Sequence, residues 1–212
     1  MGAFQPSMSA IRINFVNFAF KIKDFHLIKK KINMVNHTVN HKTTELINSL
    51  KNKDKIRILF VCLGNICRSP AGQGVMERIV DERGLNDRIF IDSAGISSYH
   101  SGDLPDQRMR VHATRRGLNL THRSRQVCSD DFERFDLILA MDDSNYDHLR
   151  RLANSPEEMD KVKRIASFFR QYRHWDCIPD PYYGGSEGFE NVLDLLDDAC
   201  QNIADQIETK QI

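Results

Sequence analysis

The strongest constraint on the fold of this chain is a ten-residue run, Val61-Cys62-Leu63-Gly64-Asn65-Ile66-Cys67-Arg68-Ser69-Pro70. The apolar stretch before it, Ile56–Phe60, has the length and composition of a strand, and the Ser-Pro pair at its end is typical of the first turn of a helix. A strand, a glycine-containing turn and a helix N-terminus therefore follow one another directly. This succession is typical of α/β proteins.

Predicted strands and helices alternate along residues 56–212. The pattern predicts strands at Ile56–Val61, Ile89–Ser93, Phe135–Met141 and Val162–Ala166, with helices at Ser69–Arg83, Pro105–Arg116, Asp143–Leu152 and Gly188–Thr209. Because the third strand is largely apolar, we expect a three-layer α/β fold, with a parallel sheet covered by helices on both faces. Ligands of such sheets bind beyond the carboxyl ends of the strands, so the active site is expected at the C-terminal end of the first strand, beside Cys62.

The turn between Cys62 and Arg68 has the groups that a phosphate dianion needs. Backbone N–H groups along the turn can surround the anion, and Gly64 and Asn65 tolerate the backbone conformations that such curvature requires. The guanidinium of Arg68 can hold two equatorial oxygens, and the following helix directs its positive end to the same point. These groups, with the hydroxyl of Ser69, favour the thiolate of Cys62, which is then a nucleophile beneath the phosphorus atom.

A carboxyl group is also needed, because the leaving oxygen requires a proton and the water of the second step requires a base. The best candidate in the sequence is the segment Asp180-Pro181-Tyr182-Tyr183-Gly184-Gly185. Its proline stiffens the backbone beside the acid, its glycines allow the segment to fold over a site, and its tyrosines offer aromatic walls. Asp180 is therefore predicted to act first as the acid and then as the base.

Residues 62–70 together with residues 180–185 resemble the low-molecular-weight protein-tyrosine phosphatase family. The resemblance covers residues 56–212, and it implies a four-stranded parallel sheet, no metal and no organic cofactor. It also implies that Cys62 is the nucleophile, Arg68 the phosphate-binding arginine and Asp180 the proton donor.

The resemblance assigns supporting roles as well. Asn65 and Ser69 would fix the shape of the loop and the thiolate, and His122 resembles the family histidine that braces the loop through this asparagine. Cys67 is the candidate redox partner, since a cysteine at this position can form a reversible disulfide with the nucleophile in this family. Besides Cys62 and Arg68, the phosphate-binding loop then contains Leu63, Gly64, Asn65, Ile66, Cys67 and Ser69.

Three tyrosines indicate an aromatic substrate. Tyr182 and Tyr183 match the phosphotyrosine-directed pattern of the family, and Tyr99 falls where many relatives place an aromatic residue at the rim of the pocket. Ile66 occupies the place where related arginine phosphatases carry a threonine, and an apolar side chain there suits an aromatic ring. The expected function is hydrolysis of phosphotyrosine through a cysteinyl-phosphate intermediate, with a tyrosine-phosphorylated protein or peptide as the partner.

Three other functions stay open at this point. A protein-arginine phosphatase would share the fold and the loop. A thiol-dependent arsenate reductase would need two further cysteines close in sequence, whereas Cys128, Cys177 and Cys200 are each separated by more than twenty residues. A non-catalytic phosphopeptide-binding module would need Arg68 and the loop amides but neither the thiolate nor the acid.

Two features depart from the family pattern. Gly72 and Gly74 stand inside the first predicted helix at a cost of roughly 1 kcal/mol each relative to alanine, so we expect a looser first turn than usual. Residues 1–55 have no counterpart in the minimal domain, and they contain ten of the 30 Lys and Arg residues but only three of the 29 Asp and Glu residues. We expect these residues to form a disordered or mis-annotated basic leader; attachment of their lysines to an anionic membrane surface is the weaker alternative.

The composition also indicates where the protein is located and which partners it lacks. Five cysteines at irregular spacing indicate reduced thiols and a cytoplasmic location. No stretch reaches the roughly 18 apolar residues that a transmembrane segment needs, and the acidic character of residues 56–212 argues against nucleic acid as a partner. We expect a monomer.

Overall fold

The computed structural model describes residues 41–182 and 185–208 of the chain. By its contacts, the chain divides into two units, residues 1–42 and residues 43–212. Residues 41–51 are helical (α1), and Thr43, Ile47 and Leu50 are buried at helical spacing. The boundary predicted at residue 55 is therefore too late, because these side chains give the end of the predicted leader an apolar face that joins the core. The prediction for residues 1–40 lies outside the described residues.

The described part of the second unit alternates strands and helices as predicted, with additional short helices. After α1, the elements are β1 (Ile56–Cys62), α2 (Arg68–Glu82), β2 (Ile89–Gly95), α3 (Gln107–Arg115), α4 (Asp131–Arg134), β3 (Leu137–Ala140), α5 (Asp143–Leu152), α6 (Pro156–Asp160), β4 (Val162–Arg164), a 3-10 turn (Ile165–Phe168) and α7 (Ser186–Glu208). The short elements α4, α6 and the 3-10 turn were not predicted, because segments of four or five residues are too short to show a helical period.

The four strands form one parallel sheet in the order β2-β1-β3-β4. Strand β1 lies between β2 and β3, and its last residue, Cys62, is paired with Gly95 at the end of β2. The carboxyl ends of the strands therefore meet at one edge, and Cys62 lies near the middle of that edge. This confirms the predicted parallel sheet and its four strands.

Both faces of the sheet are covered. Ile58 and Phe60 of β1 pack into a cluster with α2 and α7, whereas Leu59 and Val61 pack into a second cluster with Phe132 of α4 and residues of α5. Because successive side chains of a strand point to opposite faces of the sheet, β1 must carry apolar side chains on both faces. The three-layer α/β architecture predicted from the apolar strands is thereby confirmed.

The two glycines of α2 do not interrupt the helix. α2 runs without a break through Gly72 and Gly74, and both residues are buried. A Cβ atom on Gly72 would lie 2.7 Å from a ring carbon of Phe60, and one on Gly74 would overlap with the end of Leu120. The glycines therefore let α2 approach the sheet closely, which offsets their low helix propensity.

Among the residues that the structure describes, no helix combines the length and the apolar character needed to cross a membrane.

Candidate active site

A cavity of about 350 Å³ opens at the carboxyl end of β1. Nine of the residues predicted for the site line it, namely Cys62, Leu63, Gly64, Ile66, Cys67, Arg68, Tyr99, Asp180 and Tyr182, together with Ser97 and His100. Another cavity, of about 400 Å³, lies at the opposite end of the sheet and is lined by basic side chains, Asp87 and two phenylalanines, without a thiol. The cavity at Cys62 is the candidate active site, because it combines the nucleophile, a guanidinium and a carboxyl group.

The phosphate loop, residues 62–68, curves tightly against the end of β2. Asn65 has a φ of 55°, the left-handed conformation that asparagine tolerates better than most residues. The N–H groups of Ile96 and Ser97 donate to the carbonyls of Cys62 and Leu63 at 2.9 Å each. A Cβ atom on Gly95 would lie 3.0 Å from three backbone atoms of the loop. Gly95, which the sequence analysis missed, is therefore needed for this close approach.

Asn65 holds the loop from beneath through four hydrogen bonds. Its amide nitrogen donates to the hydroxyls of Ser69 and Ser93 at 2.9 Å each. Its amide oxygen accepts from His122 Nε2 at 2.9 Å and from the backbone N–H of Arg125 at 3.0 Å. Asn65 itself is fully buried, so no water replaces these partners. The structure thus brings Asn65, Ser69 and His122 together, outside the cavity but directly below it.

His122 is a neutral donor in this arrangement. Burial, reinforced by the charge of Arg125, lowers the pKa of His122 below its ordinary value, although Asp92 on the other side acts in the opposite direction. Since the oxygen of Asn65 can only accept, the single proton of the neutral ring lies on Nε2. A neutral histidine braces the loop without adding a positive charge beneath the anion site.

The sulfur of Cys62 has two hydrogen-bonding neighbours. Ser69 Oγ lies 3.1 Å from Cys62 Sγ, and the backbone N–H of Asn65 donates to it at 3.3 Å. The Ser69 hydroxyl also lies 3.1 Å from the Ala94 carbonyl, and it can donate to the sulfur instead when Cys62 is a thiolate. Together with the Asn65 N–H it then stabilises the thiolate. Cys67 differs, because burial, followed by the charge of Asp106, raises the pKa of its thiol well above the usual value. Of the two thiols in the loop, Cys62 is therefore placed to be the nucleophile, and Cys67 stays protonated.

The guanidinium of Arg68 is buried and fixed from two sides. Its Nη1 donates to Asp142 Oδ2 at 2.5 Å and to the carbonyl of Ile178 at 3.2 Å, and its Nη2 donates to Asp180 Oδ2 at 2.9 Å. Burial disfavours the charged form, but Cys62 and the two carboxylates outweigh it and raise the pKa of Arg68 above its ordinary value. The cavity therefore contains a permanent positive charge directed at its floor.

Asp180 lies at the rim of the cavity. Its side chain is 42% exposed, and its Oδ1 accepts from the backbone N–H of Tyr182 at 3.1 Å. The carboxyl group is thus held between Arg68 and the backbone of its own turn while it stays accessible to a substrate. A group in this position can exchange a proton with an oxygen atom above the phosphate loop.

Two exposed aromatic rings border the opening. Tyr99 is 86% exposed and lies edge-on to the His100 ring, with 4.9 Å between the ring centroids, and Tyr182 is 40% exposed. The residue Tyr183, predicted for the same wall, lies outside the described residues. Ile66 contributes an apolar side chain to the cavity. The cavity therefore combines an anion site at its floor with aromatic and apolar walls.

Asp142 is the main site residue that the sequence analysis missed. It follows β3 by two residues, caps α5 by accepting from the backbone N–H of Asn145, and orients Arg68 with its other oxygen. Its position in the sequence, directly after a predicted strand, could have identified it. An acidic residue just after a strand that neighbours β1 must lie at the same edge of the sheet as Cys62.

Comparisons with known proteins agree with this geometry. Residues 57–212 match the sequence model of the family described as low molecular weight phosphotyrosine protein phosphatase. A Gallus gallus protein with that name is 38% identical over 145 residues, which are 68% of this chain and 90% of the relative.

Solved structures are similar over the same region. A protein tyrosine phosphatase from Entamoeba histolytica is 42% identical with a TM-score of 0.70, covering 73% of this chain and 97% of its own. A Drosophila arginine phosphatase is 30% identical with a TM-score of 0.69, covering 74% of this chain and 100% of its own.

Proposed function

This chain belongs to the low molecular weight phosphotyrosine protein phosphatase family, and we propose that Cys62, Arg68 and Asp180 are the residues with which it hydrolyses phosphotyrosine. The activity is that of a protein-tyrosine phosphatase, a phosphoric monoester hydrolase. The observation that carries the residue assignment is that all three side chains line one cavity, with Arg68 hydrogen-bonded to Asp180.

In the first step, the thiolate of Cys62 attacks the phosphorus atom. The S–P bond forms as the bond between phosphorus and the aryl oxygen breaks, and the proton of Asp180 passes to that oxygen to release tyrosine. Arg68 and the N–H groups of the phosphate loop hold the equatorial oxygens of the transferred group. Because Asp142 and the Ile178 carbonyl hold Nη1, Nη2 of Arg68 can exchange Asp180 for a substrate oxygen.

In the second step, water hydrolyses the cysteinyl phosphate. The carboxylate of Asp180 takes a proton from the water as its oxygen attacks phosphorus, and the S–P bond breaks to return the Cys62 thiolate. The donors at 3.1 Å and 3.3 Å from the sulfur stabilise that leaving thiolate. One carboxyl group thus serves both steps in opposite protonation states.

The walls of the cavity favour an aryl phosphate in a protein or peptide. The exposed rings of Tyr99 and Tyr182 can contact a substrate ring on its way to the phosphate loop, and Ile66 supplies apolar contact deeper in the cavity. Tyr183 belongs to the same proposed wall.

The remaining proposals concern the setting of the enzyme. We infer a cytoplasmic location, because the nucleophilic thiol must stay reduced for turnover. A monomer is proposed as well. Residues 1–40 are proposed to be a leader that takes no part in the reaction.

Cys67 is proposed as a redox partner of Cys62. A peroxide would oxidise the Cys62 thiolate to a sulfenic acid, and the Cys67 thiol would then displace water to form a disulfide. Reduction by a dithiol would restore both thiols. This pairing would protect the nucleophile from irreversible oxidation.

The proposed residues are tested by turnover of phosphotyrosine peptide, phenyl phosphate and phosphoarginine. We expect Cys62→Ser to show no turnover above background and Asp180→Asn to lower kcat/KM for phenyl phosphate by about 10²-fold to 10⁴-fold. Wild-type activity in Cys62→Ser would refute the mechanism. A higher kcat/KM for phosphoarginine than for phosphotyrosine would refute the proposed substrate class. It would not affect the assignment of Cys62 as the nucleophile.

A further inference from the structure

Helix α3 contacts the segment that carries Asp180. Nη1 of Arg108, in the first turn of α3, donates to the carbonyl of Tyr182 at 3.0 Å. The N–H of Tyr182 donates in turn to Asp180 Oδ1, and Asp180 Oδ2 accepts from Arg68. The backbone of one residue, Tyr182, therefore separates the Arg108 contact from the carboxyl group.

The same arginine is fixed relative to the phosphate loop. The backbone N–H of Asp106 donates to the carbonyl of Ile66 at 2.8 Å. The carboxylate of Asp106 then accepts from the backbone N–H, Nε and Nη2 of Arg108, at 2.8, 3.0 and 2.8 Å. These hydrogen bonds lower the pKa of Asp106, so its carboxylate keeps its charge. Together with the contacts of Tyr182 and Arg68, they close a ring that joins the nucleophile loop to the acid.

Aromatic contacts fix the plane of the Arg108 guanidinium. Its Cζ lies 5.1 Å from the ring centroid of Tyr182 and 5.1 Å from that of Phe189, in the first turn of α7. Phe189 is buried and stacks on His112 of α3, whose Nε2 lies 3.2 Å from the hydroxyl of Ser186. Helix α3 thus contacts both Tyr182, two residues after the acid, and Ser186, the first residue of α7.

We propose that Arg108 is a positioning residue that sets the distance between Asp180 and the leaving oxygen, an inference that rests on the proposed role of Asp180 as the acid. Arg108 does not line the cavity, and its own side chain is 47% exposed. It can therefore act on the substrate through the ring of Tyr182 and, by way of the Tyr182 backbone, through Asp180. Only the effect through Asp180 depends on whether the leaving oxygen needs a proton. Proton transfer depends steeply on such distances, since a displacement of about 1 Å can cost 10²-fold in rate.

This role has a consequence that a purely structural role lacks. A phenol that is much more acidic than tyrosine, such as 4-nitrophenol, departs without a proton, whereas phenol or tyrosine needs one. Displacing Asp180 must therefore slow the reaction of phenyl phosphate more than that of 4-nitrophenyl phosphate. Loss of folded enzyme would lower both rates by the same factor.

The experiment measures kcat/KM of the full chain for both esters, because this parameter reports the step in which the aryl group leaves. The test variant is Arg108→Met, which keeps the length of the side chain and removes the donor and the charge. Arg110→Met is the matched control, since Arg110 lies in the same helix and is exposed, and its side chain forms no hydrogen bond or ion pair within the described residues. Asp180→Asn gives the result expected when the acid is absent.

We expect Arg108→Met to lower kcat/KM about tenfold for phenyl phosphate and less than twofold for 4-nitrophenyl phosphate. Arg110→Met should leave both values unchanged, and Arg108→Lys should fall between wild type and Arg108→Met. An equal loss on both esters, or no loss on either, in Arg108→Met overturns the proposal if Asp180→Asn still discriminates between them. If Asp180→Asn does not discriminate, Asp180 is not the acid, and the positioning role falls with it.

Discussion

Replacing Asn65 by alanine should destabilise the fold and open the phosphate loop. Asn65 combines a positive φ with four side-chain hydrogen bonds. Alanine tolerates the positive φ less well than asparagine, and it cannot form these hydrogen bonds. The hydroxyls of Ser69 and Ser93 keep other partners, the carbonyl of Ala94 at 3.1 Å and Gln73 Oε1 at 2.8 Å. The ring N–H of His122 and the backbone N–H of Arg125 lose the amide oxygen of Asn65 as their acceptor.

The magnitude follows from these losses. Each partly buried N–H group left without an acceptor costs about 1 kcal/mol or slightly more. The left-handed backbone adds about 1 kcal/mol for alanine, because its Cβ approaches the following carbonyl oxygen. We therefore expect Asn65→Ala to lower the free energy of unfolding by about 3 kcal/mol. This is a large fraction of the 5–15 kcal/mol that is typical of a folded domain.

Urea unfolding of three variants separates the two contributions. Asn65→Gly removes the side chain but tolerates the positive φ. Its free energy of unfolding should therefore be about 1 kcal/mol higher than that of Asn65→Ala. Asn65→Asp keeps the acceptor for His122 and Arg125, so it should be more stable than Asn65→Ala. Its carboxylate would repel both the thiolate and phosphate, and the activity should fall. An Asn65→Gly variant less stable than Asn65→Ala would refute the backbone argument, and wild-type stability in both would refute the role of the side chain.

Two further predictions concern packing and pH. Gly72→Ala should lower the free energy of unfolding by about 1 kcal/mol, because overpacking against the buried ring of Phe60 outweighs the gain in helix propensity. Gly74→Ala should be neutral or slightly stabilising, since the end of the Leu120 side chain can rotate away; equal effects of the two substitutions in urea unfolding would contradict this account. Because the pKa of His122 is lowered in the fold, the unfolded chain binds this proton first, and stability should decline as the pH falls below about 6.5. His122→Gln should show a shallower decline between pH 7.5 and pH 5, and a parallel decline would exclude His122 as its source.

The site divides into a part that the sequence predicts and a part that only the fold assembles. Cys62 and Arg68 are six residues apart, so their joint chemistry is readable without a structure. Asp180 could be found because its own neighbours resemble those of a known family. The fold class was predictable for a similar reason, since strands that are buried on both faces must be apolar at every position.

The residues that were missed act through distant partners. Asp142 and Arg108 each hold a group that lies more than seventy residues away in the chain, and neither stands in a distinctive local pattern. Gly95 is required only because the phosphate loop packs against it. The burial of Ile47 and Leu50 was missed for a different reason, because the basic composition of the surrounding residues indicated a leader and concealed a short amphipathic helix.

The polarity of the site is divided in a way that suits its chemistry. Beneath the phosphate loop the contacts are neutral, made by an amide, two serine hydroxyls and an uncharged histidine. Beside the loop they are charged, with the buried guanidinium of Arg68 shared by Asp142 and Asp180. The neutral network beneath the loop keeps the loop in one conformation whether the sulfur is a thiolate, a cysteinyl phosphate or a leaving group. None of the side chains in this network must gain or lose a proton during the reaction. The charged groups can exchange partners, so Arg68 can turn from Asp180 to the phosphate and back. The rigid part of the site therefore defines where phosphorus is attacked, and the exchangeable part supplies the proton.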